Sequence, residues 1–331
     1  MPQEDHAEPT DARPQPSAGH IPVLMDAVLR LLEPKRGDTF VDCTAGLGGH
    51  AGVLAAKLAT AGGGRVVIND VDPGNLAQAE VHVREMAGRD AIESGSVEVV
   101  PVLGNFVGLP NALAKRGLAA DCVLADLGFS SNQMDDGQRG LSFRRDGPLD
   151  MRLDPELPES AADLVASLPE VELARIIYEY GEERRSRAVA RKIVAVRAHE
   201  PITTTSQLAE IVRSVVARSP GPRPIDPATR TFQALRIAVN DELGVLAGLL
   251  DAVRRGAGGV AKGSSWLARG GRVGIISFHS LEDRAVKQAF AGLRERGHAE
   301  LVTRKPVEAG ASEVQDNPRS RSAKLRVVRV V

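Results

Sequence analysis

One tight strand-to-helix turn, Asp42-Cys-Thr-Ala-Gly-Leu-Gly-Gly-His50, constrains this 331-residue chain more than any other stretch. The run Thr39, Phe40, Val41 leads into it, and the apolar spacing of Ala51, Val53, Leu54 and Leu58 leaves it, so a strand must give way to a helix within a few residues. Gly46, Gly48 and Gly49 let the backbone approach a bound molecule and leave unpaired N–H groups at the helix start. Gly-x-Gly alone serves structural turns about as often as ligands. Asp42, four residues before Gly46, adds a carboxylate at a strand end. That suits a cationic or hydroxylated ligand better than the phosphate that a dinucleotide turn favours.

Around this turn strands and helices alternate: strands 39–43, 65–69, 97–102 and 121–126, with helices 49–60, 73–86 and 110–116 between them. A short amphipathic helix from His20 to Leu32, with Pro22 at its first turn, precedes them. The alternation reads as α/β with a parallel sheet, whose ligands bind beyond the carboxyl ends of the strands. Asp70 ends the second strand, about twenty residues past the glycines, where an acid can hold ribose hydroxyls. Phe106 follows the third and offers a face to a purine. Asp126 ends the fourth. Each fits a cap or turn singly; together they ring one pocket.

From residue 132 to about 228 the strands cease and helices follow at 161–168, 171–180, 184–199 and 206–217, the last with a capping box between Thr204 and Gln207. A Pro-rich loop, 219–224, leads to one long helix over 228–255. Strands 272–278, 299–303 and 324–330 and a helix over 281–296 then complete the sheet. The expected organisation is a disordered tail over 1–19, a sheet domain split between 20–131 and 229–331, and a helical insertion over 132–228.

With 43% hydrophobic residues the chain can bury a sizeable core. No run approaches the ~20 apolar residues of a membrane helix, and the acidic start is no signal peptide, so a cytoplasmic protein without a membrane partner is expected. Cys43 and Cys122 lie in apolar strands and read as buried thiols. The seven histidines show no metal-ligand spacing, so no metal is assigned. The net charge is −1, but basic residues gather at Arg184, Arg185, Arg187, Arg191, Lys192 and Arg197, and again at Arg319, Arg321, Lys324, Arg326 and Arg329. A solvated face and a polyanion contact are about equal readings of such clusters.

Several longer motifs now converge: Gly46-Leu-Gly-Gly-His50, Asp126-Leu-Gly-Phe-Ser-Ser-Asn-Gln133, Arg139-Gly-Leu-Ser-Phe143, Arg145-Asp-Gly-Pro-Leu-Asp-Met-Arg152, Tyr180-Gly-Glu-Glu-Arg184, Thr229-Arg-Thr-Phe-Gln-Ala-Leu-Arg236, Ile276-Ser-Phe-His-Ser-Leu-Glu-Asp-Arg284 and Asn317-Pro-Arg-Ser-Arg321. Over almost everything after residue 19 the chain resembles the bacterial RsmH, or MraW, proteins. The resemblance implies a class I Rossmann-like methyltransferase that uses S-adenosyl-L-methionine to methylate N4 of a cytosine, position 1402, in 16S rRNA of the small ribosomal subunit. It also implies cofactor contacts at Gly48, Gly49, His50, Asp70, Phe106, Asp126 and Gln133. Cys43, Ala45, Val71, Phe129 and Asn132 depart from the usual family residues.

S-adenosylmethionine carries its own leaving group, so the protein has mainly to position and orient. Asp42 and Asp126 would put negative potential near the methionine ammonium and the sulfonium. The lone pair of the cytosine amine is delocalised into the ring, so an acceptor for its hydrogens should raise its nucleophilicity. Asp126, or a backbone carbonyl at Leu127 or Gly128, is the candidate; holding only the cofactor is an equal alternative for Asp126. Methylation at C5 would call for a cysteine nucleophile, and Cys122 lies ~13 Å down its strand from the catalytic edge. Arg144, Arg145, Arg152, Arg230, Arg236, His279, Arg319 and Arg321 fall in or beside the motifs and are the expected RNA contacts. A structural histidine is an equal reading of His279, and Glu282 and Asp283 suit the following helix start. Partners beyond the 16S rRNA are left open, a homodimer included. An NAD-dependent oxidoreductase and a non-catalytic ribosome-binding protein are the competing readings.

Overall fold

The structure, a computed structural model, describes residues 22–128, 133–134, 136–217 and 226–331. The expected tail, His20, Phe129, Asn132 and the 219–224 loop lie outside the described residues. Among the described residues no helix is long and apolar enough to cross a membrane.

The first half of the chain runs α1 (Met25–Leu32), β1 (Thr39–Asp42), α2 (Gly49–Ala61), β2 (Gly64–Asp70), α3 (Pro73–Ala87), α4 (Arg89–Glu93), β3 (Val97–Leu103), α5 (Leu109–Ala114) and β4 (Ala120–Asp126). The expected alternation is present, with ends shifted by one or two residues. The first helix differs: it starts at Met25 behind Leu24, which is in the left-handed region at φ 54°, so Pro22 precedes the helix instead of opening it.

Helices α6 (Ala161–Ser167), α7 (Glu170–Glu179), α8 (Ser186–Arg197), α9 (Thr205–Val215) and α10 (Ala228–Asn240) follow. The Thr204–Gln207 capping box forms at α9. The single helix expected over 228–255 is two, because Asp241 takes φ 46° and ends α10 before α11 (Glu242–Gly259) begins. The chain closes with β5 (Leu267–Ser277), α12 (Ser280–Glu295), β6 (Ala299–Leu301), β7 (Val307–Glu308), α13 (Ala311–Asp316) and β8 (Lys324–Val330).

Eight strands form one sheet in the order β3-β2-β1-β4-β5-β8-β6, with β7 paired to β8. Pairing is parallel from β3 through β5 and antiparallel at β8, as in Val123↔Val273 against Gly274↔Val327. This is the expected α/β architecture, a mostly parallel sheet with an antiparallel edge. Successive residues of one strand feed opposite faces: Phe40 joins the core under α1, α2 and α3, and Val41 joins the core under α5, α11 and α12. A third core, built from Leu141 to Leu235, holds the helical segment together and takes Ala228, Phe232 and Leu235 from α10. The sheet order turns outward on either side of β1 and β4, which opens a crevice at their carboxyl ends.

Candidate active site

A cavity of about 490 Å³ occupies that crevice, within the range of small-molecule sites. Its floor is the turn after β1. Asp70, at the end of β2, ties this turn down: Oδ2 accepts from the Gly46 N–H at 2.8 Å and Oδ1 from the Asp72 N–H at 2.9 Å. Burial pushes the Asp70 carboxyl above its ordinary range, against the lowering effect of those N–H bonds. Each oxygen keeps a lone pair for a ligand hydroxyl.

The glycines divide the work. Gly46, at φ 53°, and Gly49 line the cavity. Gly48 does not; at φ 82° it sits against α3, where an added Cβ would lie 3.0 Å from the Ala79 Cα and carbonyl oxygen. The close approach to Ala79 gives it a helix-packing requirement in addition to its place in the turn.

Asp42 is also displaced from its expected place. It is 1% exposed, absent from the cavity lining, and accepts from the Thr44 N–H at 3.0 Å. Burial pushes its carboxyl up to about 7, helped by the nearby Asp70. Its influence on a ligand is electrostatic, exerted from below the floor.

His50, Asp126, Phe106 and Gln133 all line the cavity. The Asp126 N–H donates to Thr44 Oγ1 at 2.7 Å, which joins the end of β4 to the glycine turn. Its Oδ2 lies 3.6 Å from His50 Nδ1, while Oδ1 is buried without a hydrogen-bond partner among the described residues. Burial, then Asp42 and Glu282, raise the Asp126 carboxyl well above its usual range. Asn69 presents a second buried acceptor without a partner, Oδ1, because its Nδ2 donates to the carbonyls of Val102 and Gly104.

The opposite wall comes from chain segments far away: Leu153, Asp154, Leu157, Asn240, Glu242, Phe278 and Glu282. Asn240 joins α10 to the 151–153 segment, accepting from the Leu153 N–H at 2.7 Å and donating to the Met151 carbonyl at 2.8 Å. Sequence reading missed Asn240, Glu242 and Phe278 and took Glu282 mainly as a helix-start acid. The Ile276–Arg284 motif was the available signal.

Of the expected RNA contacts, Arg144, Arg145, Arg230, Arg319 and Arg321 are exposed and outside the cavity. Arg152 and Arg236 are engaged internally, contrary to expectation. Arg152 grips Asp150 through Nε at 2.9 Å and Nη2 at 2.7 Å and the Leu157 carbonyl through Nη1. Arg236 forms a bidentate pair with Glu242 at 2.7 and 2.9 Å. In the C-terminal basic cluster, Arg326 pairs with Asp283 and Arg329 with Glu300. On the helical side Arg184 and Arg185 precede α8, and both are exposed with Arg187, Arg191 and Lys192.

His279 caps α12: its Nδ1 accepts from the Glu282 N–H at 3.4 Å. Nε2 must then carry the ring proton, 3.2 Å from Glu282 Oε1. Glu242, His279 and Glu282 form the one metal-like grouping among the described residues. Their oxygens are largely committed, however, Glu242 to Arg236 and Glu282 Oε2 to the Phe278 and His279 N–H groups, while His279 Nε2 is buried without a hydrogen-bond partner among the described residues. Arg236 already supplies the positive charge opposite Glu242.

Cys43 lines the cavity but is buried, and its thiol is raised well above the ordinary value by burial, then by Asp42. Cys122 is buried too, its thiol pushed up to about 12.

These residues fit S-adenosylmethionine. The cavity offers an acid at the ribose position, a half-buried aromatic ring, recessed carboxyls toward a cationic ligand, and two buried acceptors awaiting donors.

The MraW methylase family profile matches residues 17–331. Ribosomal RNA small subunit methyltransferase H of Geobacter sp. (strain M21) is 44% identical over 325 residues, spanning 93% of this chain and 97% of that protein. The proteins of that name from Granulibacter bethesdensis and Azorhizobium caulinodans are 45% and 46% identical, spanning 93% and 96% of this chain and 90% and 88% of their own lengths. Family, fold and cavity agree, and the oxidoreductase alternative falls away: the chain belongs to the MraW methylase family.

Proposed function

We propose that this protein transfers the methyl group of S-adenosylmethionine to N4 of a cytosine in 16S rRNA, position 1402 by resemblance, within the small ribosomal subunit. The observation that carries the reading is Asp126: a carboxylate at the end of β4, in the cavity wall, with one oxygen buried and unmatched. An amino group brought to that oxygen gains an acceptor for its hydrogens as its lone pair is drawn toward the methyl carbon. The names carried by relatives 44–46% identical support rRNA as the acceptor.

S-adenosylmethionine supplies an activated methyl on a sulfonium, and the protein's share is placement. Asp70 accepts from the ribose hydroxyls, Phe106 covers the adenine, and Gln133, His50 and Gly49 flank the remainder. Gly48 supports them by letting α2 approach α3. Asp42 adds negative potential from below. The buried, protonated thiols support N- over C5-methylation, since attack at C6 of the base needs a thiolate. The helical segment and the exposed arginines hold the RNA by its phosphates, and the cavity selects the base. Action on ribosomal particles implies a cytoplasmic protein.

The test is incubation with tritiated S-adenosylmethionine and 30S particles lacking the modification, followed by digestion and identification of the labelled nucleoside by mass. Label on N4 of one cytosine is the expected result. Label on C5, on ribose or on another RNA overturns the reading.

A further inference from the structure

His50 belongs to the glycine turn, where the backbone would be expected to matter most, yet its side chain is placed with unusual definition. Nε2 lies 2.9 Å from the carbonyl oxygen of Val23. A carbonyl can only accept, so Nε2 carries a proton in every state that keeps this contact. A neutral ring therefore has its lone pair on Nδ1, and Nδ1 is the atom 3.6 Å from Asp126 Oδ2. Both side chains line the cavity, His50 almost fully buried and Asp126 recessed.

This arrangement answers a difficulty in the proposed reaction. Asp126 stands near Asp42 from β1 and Glu282 from α12, and with burial these favour its neutral acid. A neutral carboxyl offers an O–H and is a poorer acceptor for an amine. We propose that His50 takes a proton on Nδ1 and so holds Asp126 as an ionised acceptor for the amino group of the target base. The inference rests on the N4 reading above.

The proton balance then closes. As the amine nitrogen bonds the methyl carbon, the electron pair of the broken S–CH3 bond stays on sulfur and one N4 proton leaves for Asp126 Oδ1. Among the described residues the charged groups around the pair are Asp42, Asp70 and Glu282, with Asp154, His82 and Glu242, the last neutralised by Arg236, farther along the cavity wall. Their net negative charge favours the imidazolium. His50 acts through Asp126 and is a positioning residue.

The experiment pairs a spectroscopic readout with a kinetic one, using the full-length protein. With nitrogen-15-labelled histidine, the wild type at pH 7.5 should show an imidazolium signal that disappears in His50→Gln and becomes a neutral ring protonated on Nε2 in Asp126→Asn. A neutral His50 in the wild type, or an imidazolium unchanged by Asp126→Asn, overturns the inference whatever RNA atom is methylated. In His50→Gln the amide can still donate to Val23. Its single-turnover rate on 30S particles at pH 7.5, at saturating S-adenosylmethionine, should fall on the order of 100-fold. Its acidic limb should move to higher pH, so that raising the pH restores much of the rate. An equal loss at every pH, with the cofactor saturating, assigns His50 a structural role only. A wild-type enzyme that labels no cytosine N4 fails the earlier reading, while the histidine signals still decide the pairing.

Discussion

Arg236 and Glu242 face each other across the helix break at Asp241, Nε to Oε1 at 2.7 Å and Nη2 to Oε2 at 2.9 Å, in a pair 15% and 10% exposed. The break makes the pair: α10 brings the guanidinium from the helical core, and α11 brings the carboxylate to the cavity wall. Removing one partner strands a buried charge. Arg236→Ala should therefore lower stability by about 3–5 kcal/mol, measurable by denaturant unfolding, whereas Arg236→Ala with Glu242→Gln should recover part of that loss.

Asp42 predicts a pH-dependent cost. Its carboxyl sits at about 7 in the fold against an ordinary 3.8, so between those values the folded state holds the proton more tightly than the unfolded one. Stability from this group falls as pH rises through that window, and the full cost applies above about pH 7. Asp42→Asn should be the more stable protein at pH 8, by up to about 4 kcal/mol, with the gain vanishing near pH 3. A variant equally stable at both pH values would contradict the burial argument.

Gly48 predicts a backbone effect. Gly48→Ala forces a side chain into φ 82° and against the Ala79 backbone at 3.0 Å. The expected loss is about 1–3 kcal/mol of stability, together with weaker cofactor binding, because displacement of α2 from α3 moves the cavity floor. Gly37→Ala, at φ 84° but with open space around it, provides the control for strain alone.

The exposed arginines should reveal themselves through salt. If about five of them contact phosphates, log affinity for the RNA should fall with log salt at a slope of roughly −3.5. Substituting Arg144, Arg184 or Arg187 by Ala should each flatten the slope by about 0.7. Arg152→Ala should leave the slope unchanged while lowering stability, because its guanidinium is already used by Asp150 and Leu157. A slope that ignores all of these substitutions removes the proposed RNA face.

Much of the sheet could be read in advance because the strands from Thr39 to Asp126 are short apolar runs with helical spacing between them, and local pattern decides such elements. Asp70, Phe106 and Asp126 reached the cavity for the same reason: strand ends in a parallel sheet share one edge, whereas Gln133 came only from the family resemblance. The break at Asp241 was not legible, since the apolar spacing runs through it and aspartate is not a glycine or proline stop signal. Arg236 was misread in consequence, because its partner appears only when the helix breaks. Gly48 shows a related limit: a glycine needed for its φ and one needed for a close neighbour look alike until Ala79 is in place. Asn240 and Phe278 are more than a hundred residues from the glycine turn, and only the folded chain makes them its neighbours.

The three apolar cores do not mix: residues 141–239 supply the whole of one and nothing to the other two. The crevice floor thus belongs to the sheet and its two cores, and the helical segment meets that body through Arg139 on Asp72 and through Glu182 on Ser280 and Arg284. In a lineage, such a build lets the two parts drift at different tempos. A segment exchanged between cousins over residues 136–240 is a graft that carries one wall of the cavity with it, Leu153, Asp154, Leu157 and Asn240, and that must still meet Asp72, Glu242, Ser280 and Arg284 on the body that receives it.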